Sequence, residues 1–350
     1  MSRTWGLIGV GAILGLLALF LMTQGNPPNM GVCVACFLRD TAGGLKLQSA
    51  PPVQYMRPEI FGFAIGALLM GLAFKEFRPR AGSAPMTRFT LGFFMMLGCL
   101  VFLGCPIRLL LRLGAGDLNA LVGFVGLAAG IGVGTIFLKK DFQLTANQEQ
   151  SRTEGFIFPV IIVALLALVL LKSDLFAAST SGPGSAHAPV LYALGAGLIV
   201  GALVQRTGFC TIGFISHIIL FKRFYMFLGA MALVLVTFAG TVYLGKFKLG
   251  FEGQPIAHTD GLWNFLSMAL VGICGVFLSG CPLRQIVKAG NGDGDGAITV
   301  VGMLLGAAVA HNFALASSGA GATIGGKIAV IVGIIIALLV GLVFCKKAQA

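Results

Sequence analysis

The sequence predicts an all-α protein that crosses a membrane ten times, and three observations predict it. Of 350 residues, 57% are hydrophobic and only 10% are charged, against about 25% charged in a soluble domain. The apolar residues fall in continuous runs of spanning length, roughly 17–25 residues. The short alternating segments that build an outer-membrane barrel are missing from those runs.

The runs lie near 5–22, 58–74, 89–107, 118–138, 156–172, 189–205, 224–244, 262–283, 297–316 and 328–345. The first resembles a signal sequence. It is long for a signal's apolar core and no A-x-A site follows, so it reads as the first span. Charge then sets the orientation. Lys75, Arg78, Arg80 and Arg88 precede or open the third run, Lys139-Lys140 closes the fourth, Lys222-Arg223 precedes the seventh, and Lys346-Lys347 follows the tenth. With these four sites in the cytoplasm the ten spans alternate without conflict, as the positive-inside rule asks. Both termini are then cytoplasmic, in a multi-pass protein of the inner (plasma) membrane.

The formal charge of +12 is read as topology and attraction to lipid headgroups in the bilayer. No basic stretch carries the interleaved aromatics that nucleic-acid binding needs. The eight cysteines lie mostly in or beside apolar runs, which argues against an extracellular disulfide framework.

The chain repeats itself. "MGVCVACF" (30–37) aligns with "TGFCTIGF" (207–214), and "VFLGCPIRLLLRLGAGD" (101–117) aligns with "VFLSGCPLRQIVKAGNGD" (276–293). Cys33 matches Cys210; Cys105 matches Cys281 and Arg108 matches Arg284. Gly114, Asp117, Gly126 and Gly130 match Gly290, Asp293, Gly302 and Gly306. Two five-span halves, 1–172 and 189–350, are thus joined by a linker at 173–188, "SDLFAASTSGPGSAHA", which reads as near-neutral and flexible. An odd number of spans per half puts the second half upside down. That is an inverted-topology repeat, a common plan among transporters. The cysteine-bearing segments of the two halves then approach mid-membrane from opposite sides.

Residue chemistry gives these segments a role. Pro106 and Pro282 break the helical ladder, and Gly104 and Gly280 permit unusual backbone. Broken or re-entrant backbone at membrane depth is tolerated only where protein buries it or a cavity lies beside it. Arg108 and Arg284 add positive charge with geometry suited to oxyanions. A thiol is a soft, weak donor on a small apolar side chain. A path lined by Cys33, Cys105, Cys210 and Cys281, with arginines at its rims, suits a small sulfur or selenium anion.

Cys36 completes a C-x-x-C with Cys33, which is redox- or metal-competent chemistry, but Gly213 stands at the equivalent place in the second half. Metal ligation is not expected. His217 and His311 are secondary candidates for the path, while Cys99, Cys274 and Cys345 read as small hydrophobes. "GNGDGDG" (290–296) lacks the spacing of an EF-hand and reads as a turn. The sequence calls for no cofactor.

The paired cysteine motifs in an inverted repeat resemble the YeeE/YedE sulfur-transport family over both halves. "GNPPNMGVCVACFLRDTAG", "VQYMRPEIFG", "GSAPMTRFTLGFFMMLGC" and "FLGCPIRLLLRLGAGDLNA" are similar to its YedE-type selenium-transporter branch. The resemblance implies an hourglass-shaped inner-membrane protein whose central cysteines, here Cys33, Cys105, Cys210 and Cys281, pass thiosulfate or a related species inward. The branch implies a selenium cargo, and a cytoplasmic sulfur carrier of the TusA type as partner. The expectation is transport rather than enzymatic turnover. The alternative is a thiol redox or chalcogen-transfer protein working through Cys33 and Cys36 with that carrier.

Overall fold

The computed structural model describes residues 3–171 and 174–347, with side chains from Thr4 to Cys345. Among the described residues the first half contributes α1 (Arg3–Thr23), α2 (Val34–Gly44), α3 (Pro58–Ala73), α4 (Pro85–Phe102), α5 (Pro106–Gly114), α6 (Leu118–Lys139) and α7 (Arg152–Leu170). The second contributes α8 (Val190–Thr207), α9 (Gly213–Phe221), α10 (Tyr225–Tyr243), α11 (Gly261–Phe277), α12 (Pro282–Gly290), α13 (Gly294–Asn312) and α14 (Ile324–Lys347). A two-residue antiparallel pair, β1 (Arg80–Ala81) and β2 (Gln148–Glu149), is the other regular pairing of note. Ten stretches are long and apolar enough to cross a membrane, at the places the hydropathy runs mark. The protein is a polytopic helical membrane protein.

Four short helices complicate the ten-run picture. α5 and α12 continue α4 and α11 after a break, while α2 and α9 sit between spans. The break has a common form. Leu103 (φ 63°) and Ser279 (φ 54°) take the left-handed conformation, Cys105 and Cys281 follow as extended N-caps, and Pro106 and Pro282 open the new helices. Proline there is favourable, because a first-turn amide has no partner to lose. The neighbouring glycines serve a different end from the expected backbone freedom. A Cβ on Gly104 meets Arg108 Cδ at 3.0 Å, and one on Gly280 meets Arg284 Cγ at 2.9 Å. Each glycine makes room for its arginine to fold back over the break.

The long helices pack in exchanged pairs. α3 lies along α8 and α1 along α10; α6 lies along α11 and α4 along α13. Glycine sets the closeness of these contacts. A Cβ on Gly126 or Gly130 of α6 collides with the carbonyls of Phe265 or Ala269 on α11, and one on Gly302 or Gly306 of α13 collides with those of Phe89 or Phe93 on α4. Small residues are what allow such approach where the lipid offers no hydrophobic drive. α4 and α11 are the most enclosed spans, whereas α7 and α14 present Ile157, Val160, Ile161, Ile328, Ile331 and Ile335 outward. Those residues form the lipid-facing surface.

Loops gather in two groups, joined by the long helices. On the first face Asn119 Nδ2 donates to Phe251 O (2.6 Å), Asn312 Nδ2 to Leu47 O (2.9 Å) and Arg57 Nη2 to Pro183 O (2.8 Å). On the second face Arg80 pairs with Asp293 (2.9 Å), Arg206 with Glu76 (2.7 Å), and β1 with β2.

The linker departs from its expected flexibility. Its first boundary, at 172–173, lies outside the described residues. From Ala177 on it is strapped to the first face. Ala177 N donates to Gly44 O (2.9 Å), Ser179 Oγ to Pro51 O (2.5 Å) and Gly184 N to Pro52 O (2.8 Å), and the His187 ring stacks on Tyr55 at 3.9 Å. Glycine and serine in it supply compact turns, with Ser185 N and Oγ both donating to Gly182 O. The "GNGDGDG" segment is likewise ordered by helix capping: Asp293 N-caps α13, accepting from Gly296 N (2.9 Å).

Candidate functional site

Two cysteine clusters form, one from each half. In the first, Cys33 N-caps α2, its sulfur accepting from Cys36 N (3.3 Å), and Cys36 Sγ lies 2.6 Å from Cys33 Sγ. Cys105 adjoins Cys33 at the α4–α5 break. All three are free cysteines and essentially sealed, at 1% exposure or less.

In the second cluster Cys210 Sγ accepts from the backbone N–H of Cys281 (3.4 Å) and also meets the N–H groups of Ile212 and Gly213. The Cys281 thiol contacts Cys210 and Thr211. Gly213 stands at the position aligned with Cys36, whose backbone N–H bonds Cys33. A sulfur ringed by backbone N–H groups at a helix start is a place prepared for negative charge.

Cys99 and Cys274 were expected to be plain apolar residues. Both are fully buried, and Cys99 lies near Cys33, Cys36 and Cys274. They stand where α4 packs on α11, between the clusters. Hydropathy gives no signal for this, because a cysteine inside a span looks the same whichever way it points. Cys345 is peripheral, its sulfur 3.7 Å from Phe137 O.

The two arginines differ despite their shared motif. Arg108 is fully buried. It donates from Nε to Asn29 O (3.1 Å), from Nη1 to Leu103 O and toward Cys36 Sγ (3.8 Å), and from Nη2 to Ile256 O (3.1 Å). Carbonyls absorb most of its donors, so it ties loop ends together beside the first cluster. Arg284 spends one bond, Nη1 to Val204 O (3.1 Å). It faces a cavity of about 240 Å³ shared with Cys210, Ser216, His217, Ser279 and Gly280. Arg284 also borders an adjoining cavity of about 310 Å³ on the second face, lined by Arg78, Arg80, Lys288, Glu76 and Asp293. Arg284 borders both cavities, so it stands between Cys210 and the charged lining of the second face.

His217 lines the first of these cavities and bonds the Tyr225 hydroxyl through Nδ1 (2.7 Å). His311 lies on the other face, in a separate cavity with Arg39. The sequence reading assigns no role to Arg39, Asp40, Arg57 or His258. Asp40 receives Arg39 Nη2 (2.6 Å) on one oxygen and Arg57 Nε (2.7 Å) on the other. An Arg-Asp pair at the end of the first cysteine motif is the one signal that could have found this network.

His258 sits in the loop before α11. Its Nε2 donates to Val101 O (2.8 Å) at the end of α4, and its Nδ1 accepts from Asp260 N (3.3 Å). The bond accepted at Nδ1 needs the neutral ring. Burial holds its pKa below the ordinary 6.5, and the nearby Arg112 adds to this, although Val101 O, Asp260 and Asp117 pull the other way. A histidine whose folded pKa is depressed adds stability above its unfolded pKa and loses it as pH falls below that value. His187, held low by burial and Arg57, has the same sign. The unfolding temperature in detergent is expected to be level above about pH 6.5 and to fall below it. His258→Gln, which keeps a donor for Val101, is expected to flatten that fall; an unchanged pH profile would remove His258 from the account.

The sequence matches no family model and no curated protein.

Proposed function

We propose that the protein is an inner-membrane transporter that passes a small sulfur or selenium anion, of the thiosulfate or selenite class, between two cysteine clusters. One observation carries the reading. Cys33 with Cys105, and Cys210 with Cys281, sit at the starts of broken or interposed helices, where backbone N–H groups and thiols point together. A chalcogen anion is large, soft and delocalised. Thiols and amide N–H groups solvate it with several weak bonds, which allow both binding and release. Arg284 and the basic surface beyond it raise the local concentration of anions at the second face.

Supporting the inverted repeat are the helix order, which runs twice through long, short, long, broken, long, long, and the exchanged packing of α3 on α8 and α1 on α10. On this reading residues 1–172 and 189–350 are the two halves. The second face, which carries the clustered basic residues, is cytoplasmic. The basic cavity there fits an acidic partner such as a TusA-like sulfur carrier. The sequence resemblance to YeeE/YedE proteins points the same way.

A second reading is favoured by a specific contact. The 2.6 Å approach of Cys33 and Cys36 also suits a dithiol that exchanges sulfur with a carrier protein. Purified protein in liposomes, given radiolabelled thiosulfate or selenite, tests the first reading. Saturable accumulation of at least one anion above empty liposomes is expected. Flux equal to empty liposomes for both would reject it.

A further inference from the structure

The first face carries a cavity that the cysteine path does not explain. It has a volume of about 430 Å³, and its walls include Arg39, Leu103, Ile256, His311 and Ser317. Its polar lining is built but incompletely satisfied. Ser317 is 8% exposed, and its hydroxyl is buried with no hydrogen-bond partner. His311 Nε2 is buried and equally unpartnered. A buried polar group left without a partner costs about 1–3 kcal/mol, and both residues that carry one line this cavity.

The charge balance names the occupant. Arg39, 4% exposed, supplies one guanidinium. Asp40 binds Arg39 through Oδ1 and Arg57 through Oδ2. Arg57 also reaches Asn26 Oδ1, and the Asn26 amide donates to the buried Glu59, so Arg57 has acidic company away from the cavity; Arg39 is the cation of this group that lines the cavity. The remaining walls mix small apolar residues, such as Ala310, Ala314 and Ala316, with Ser318, and none of the lining residues is acidic. We propose that this cavity is a binding site for a small oxyanion, held by Arg39, the Ser317 hydroxyl and the His311 ring N–H. Guanidinium, hydroxyl and imidazole together offer the planar and single-point donors that a sulfur or selenium oxyanion accepts.

Its position gives the site a purpose. Leu103 and Ile256 line it, and their carbonyls hold Arg108, whose Nη1 reaches toward Cys36. Leu103 is also the left-handed residue of the α4–α5 break, two residues before Cys105. An anion held here stands one layer outside the first cysteine cluster. This purpose as a loading vestibule rests on the transport reading; the binding site itself rests on the cavity alone.

Calorimetric titration of the full-length protein in detergent, with thiosulfate and with sulfate as probes, tests it. Wild type and Cys345→Ala, whose sulfur lies at the edge of the bundle, are expected to bind thiosulfate with the same Kd. Ser317→Ala and His311→Ala are each expected to weaken binding about tenfold, one hydrogen bond to an anion. Arg39→Lys, which keeps the charge and loses the fork, separates a lost contact from a lost fold, and elution profile and unfolding temperature are read for every variant. No heat from either anion with wild type, or wild-type affinity in both Ser317→Ala and His311→Ala, overturns the proposal. Binding that follows this pattern in a protein giving no liposome flux would keep the site and reject the transport reading.

Discussion

Asp40→Ala is expected to cost at least about 3–5 kcal/mol and to leave little monodisperse protein after extraction. That is the range for removing one partner of a buried pair, because the surviving charge stays buried without compensation. Here the loss strands two charges. Asp40 and Arg57 are fully buried and Arg39 nearly so, and Asp40 takes both guanidiniums at 2.6–2.8 Å. The damage spreads beyond the pair. Arg57 also holds Pro183 O and Ala186 O and lies over the Phe37 and Tyr55 rings at 5.3 and 5.2 Å. A displaced Arg57 frees the strap that runs between the halves. Asp40→Asn is expected to be milder, since the amide oxygen still accepts one bond. Combining Asp40→Asn with Arg57→Met is expected to recover stability over Asp40→Ala, because it removes one of the two stranded charges. Unfolding temperature and elution profile in one detergent decide it. An Asp40→Ala protein that melts within a few degrees of wild type would show that the network contributes little.

What the sequence makes legible follows from the range of the forces involved. Hydropathy is a sum over a whole span, so ten runs locate ten spans. The short helices escape it for the same reason. α5 and α12 are nine residues each, too short for a window of spanning length, and are betrayed only by Pro106 and Pro282. α9 follows a span with no such mark at all. The repeat is legible because helix caps and close glycines are local needs. Asp117 and Asp293 both N-cap the helix that follows, after Gly116 (φ 91°) and Gly292 (φ 86°).

The functional contrasts are less legible because backbone carbonyls make them. Arg108 and Arg284 stand in the same motif, and no side chain distinguishes them. Asn29 O, Leu103 O and Ile256 O absorb Arg108, whereas Arg284 keeps most of its donors facing a cavity. The linker is misjudged for the same reason: its composition suggests slack, and its carbonyls and amides fasten it down. Composition records side chains alone, so loop-to-core bonding of this kind leaves no trace in it.

Cys281→Ala and Cys33→Ala are each expected to reduce anion flux by roughly 10- to 100-fold while leaving the fold intact. The magnitude is that of one hydrogen bond to a charged group, about 1.5–3 kcal/mol, added to the highest barrier at about 1.4 kcal/mol per factor of ten. Folding survives because cysteine to alanine removes a single buried atom, a small cavity by core standards. Cys345→Ala is the matched control: its sulfur faces Phe137 O at the edge of the bundle, and flux is expected to be unchanged. Cys36→Ser then separates the two chemistries. The Cys33 thiol keeps its bond from the backbone N–H of residue 36 whatever side chain stands there, so a permeation path needs only a small polar group at that position and tolerates serine. A dithiol that transfers sulfur takes the sulfane sulfur of thiosulfate onto the Cys33 thiolate, releasing sulfite, and passes it from that persulfide to the Cys36 thiolate, which frees Cys33; serine cannot accept it. Near-normal flux in Cys36→Ser with lost flux in Cys33→Ala favours permeation. Loss in both, with a persulfide trapped on Cys33 by mass spectrometry, transfers the function to group transfer. Full flux in both Cys33→Ala and Cys281→Ala rejects a thiol-lined route altogether.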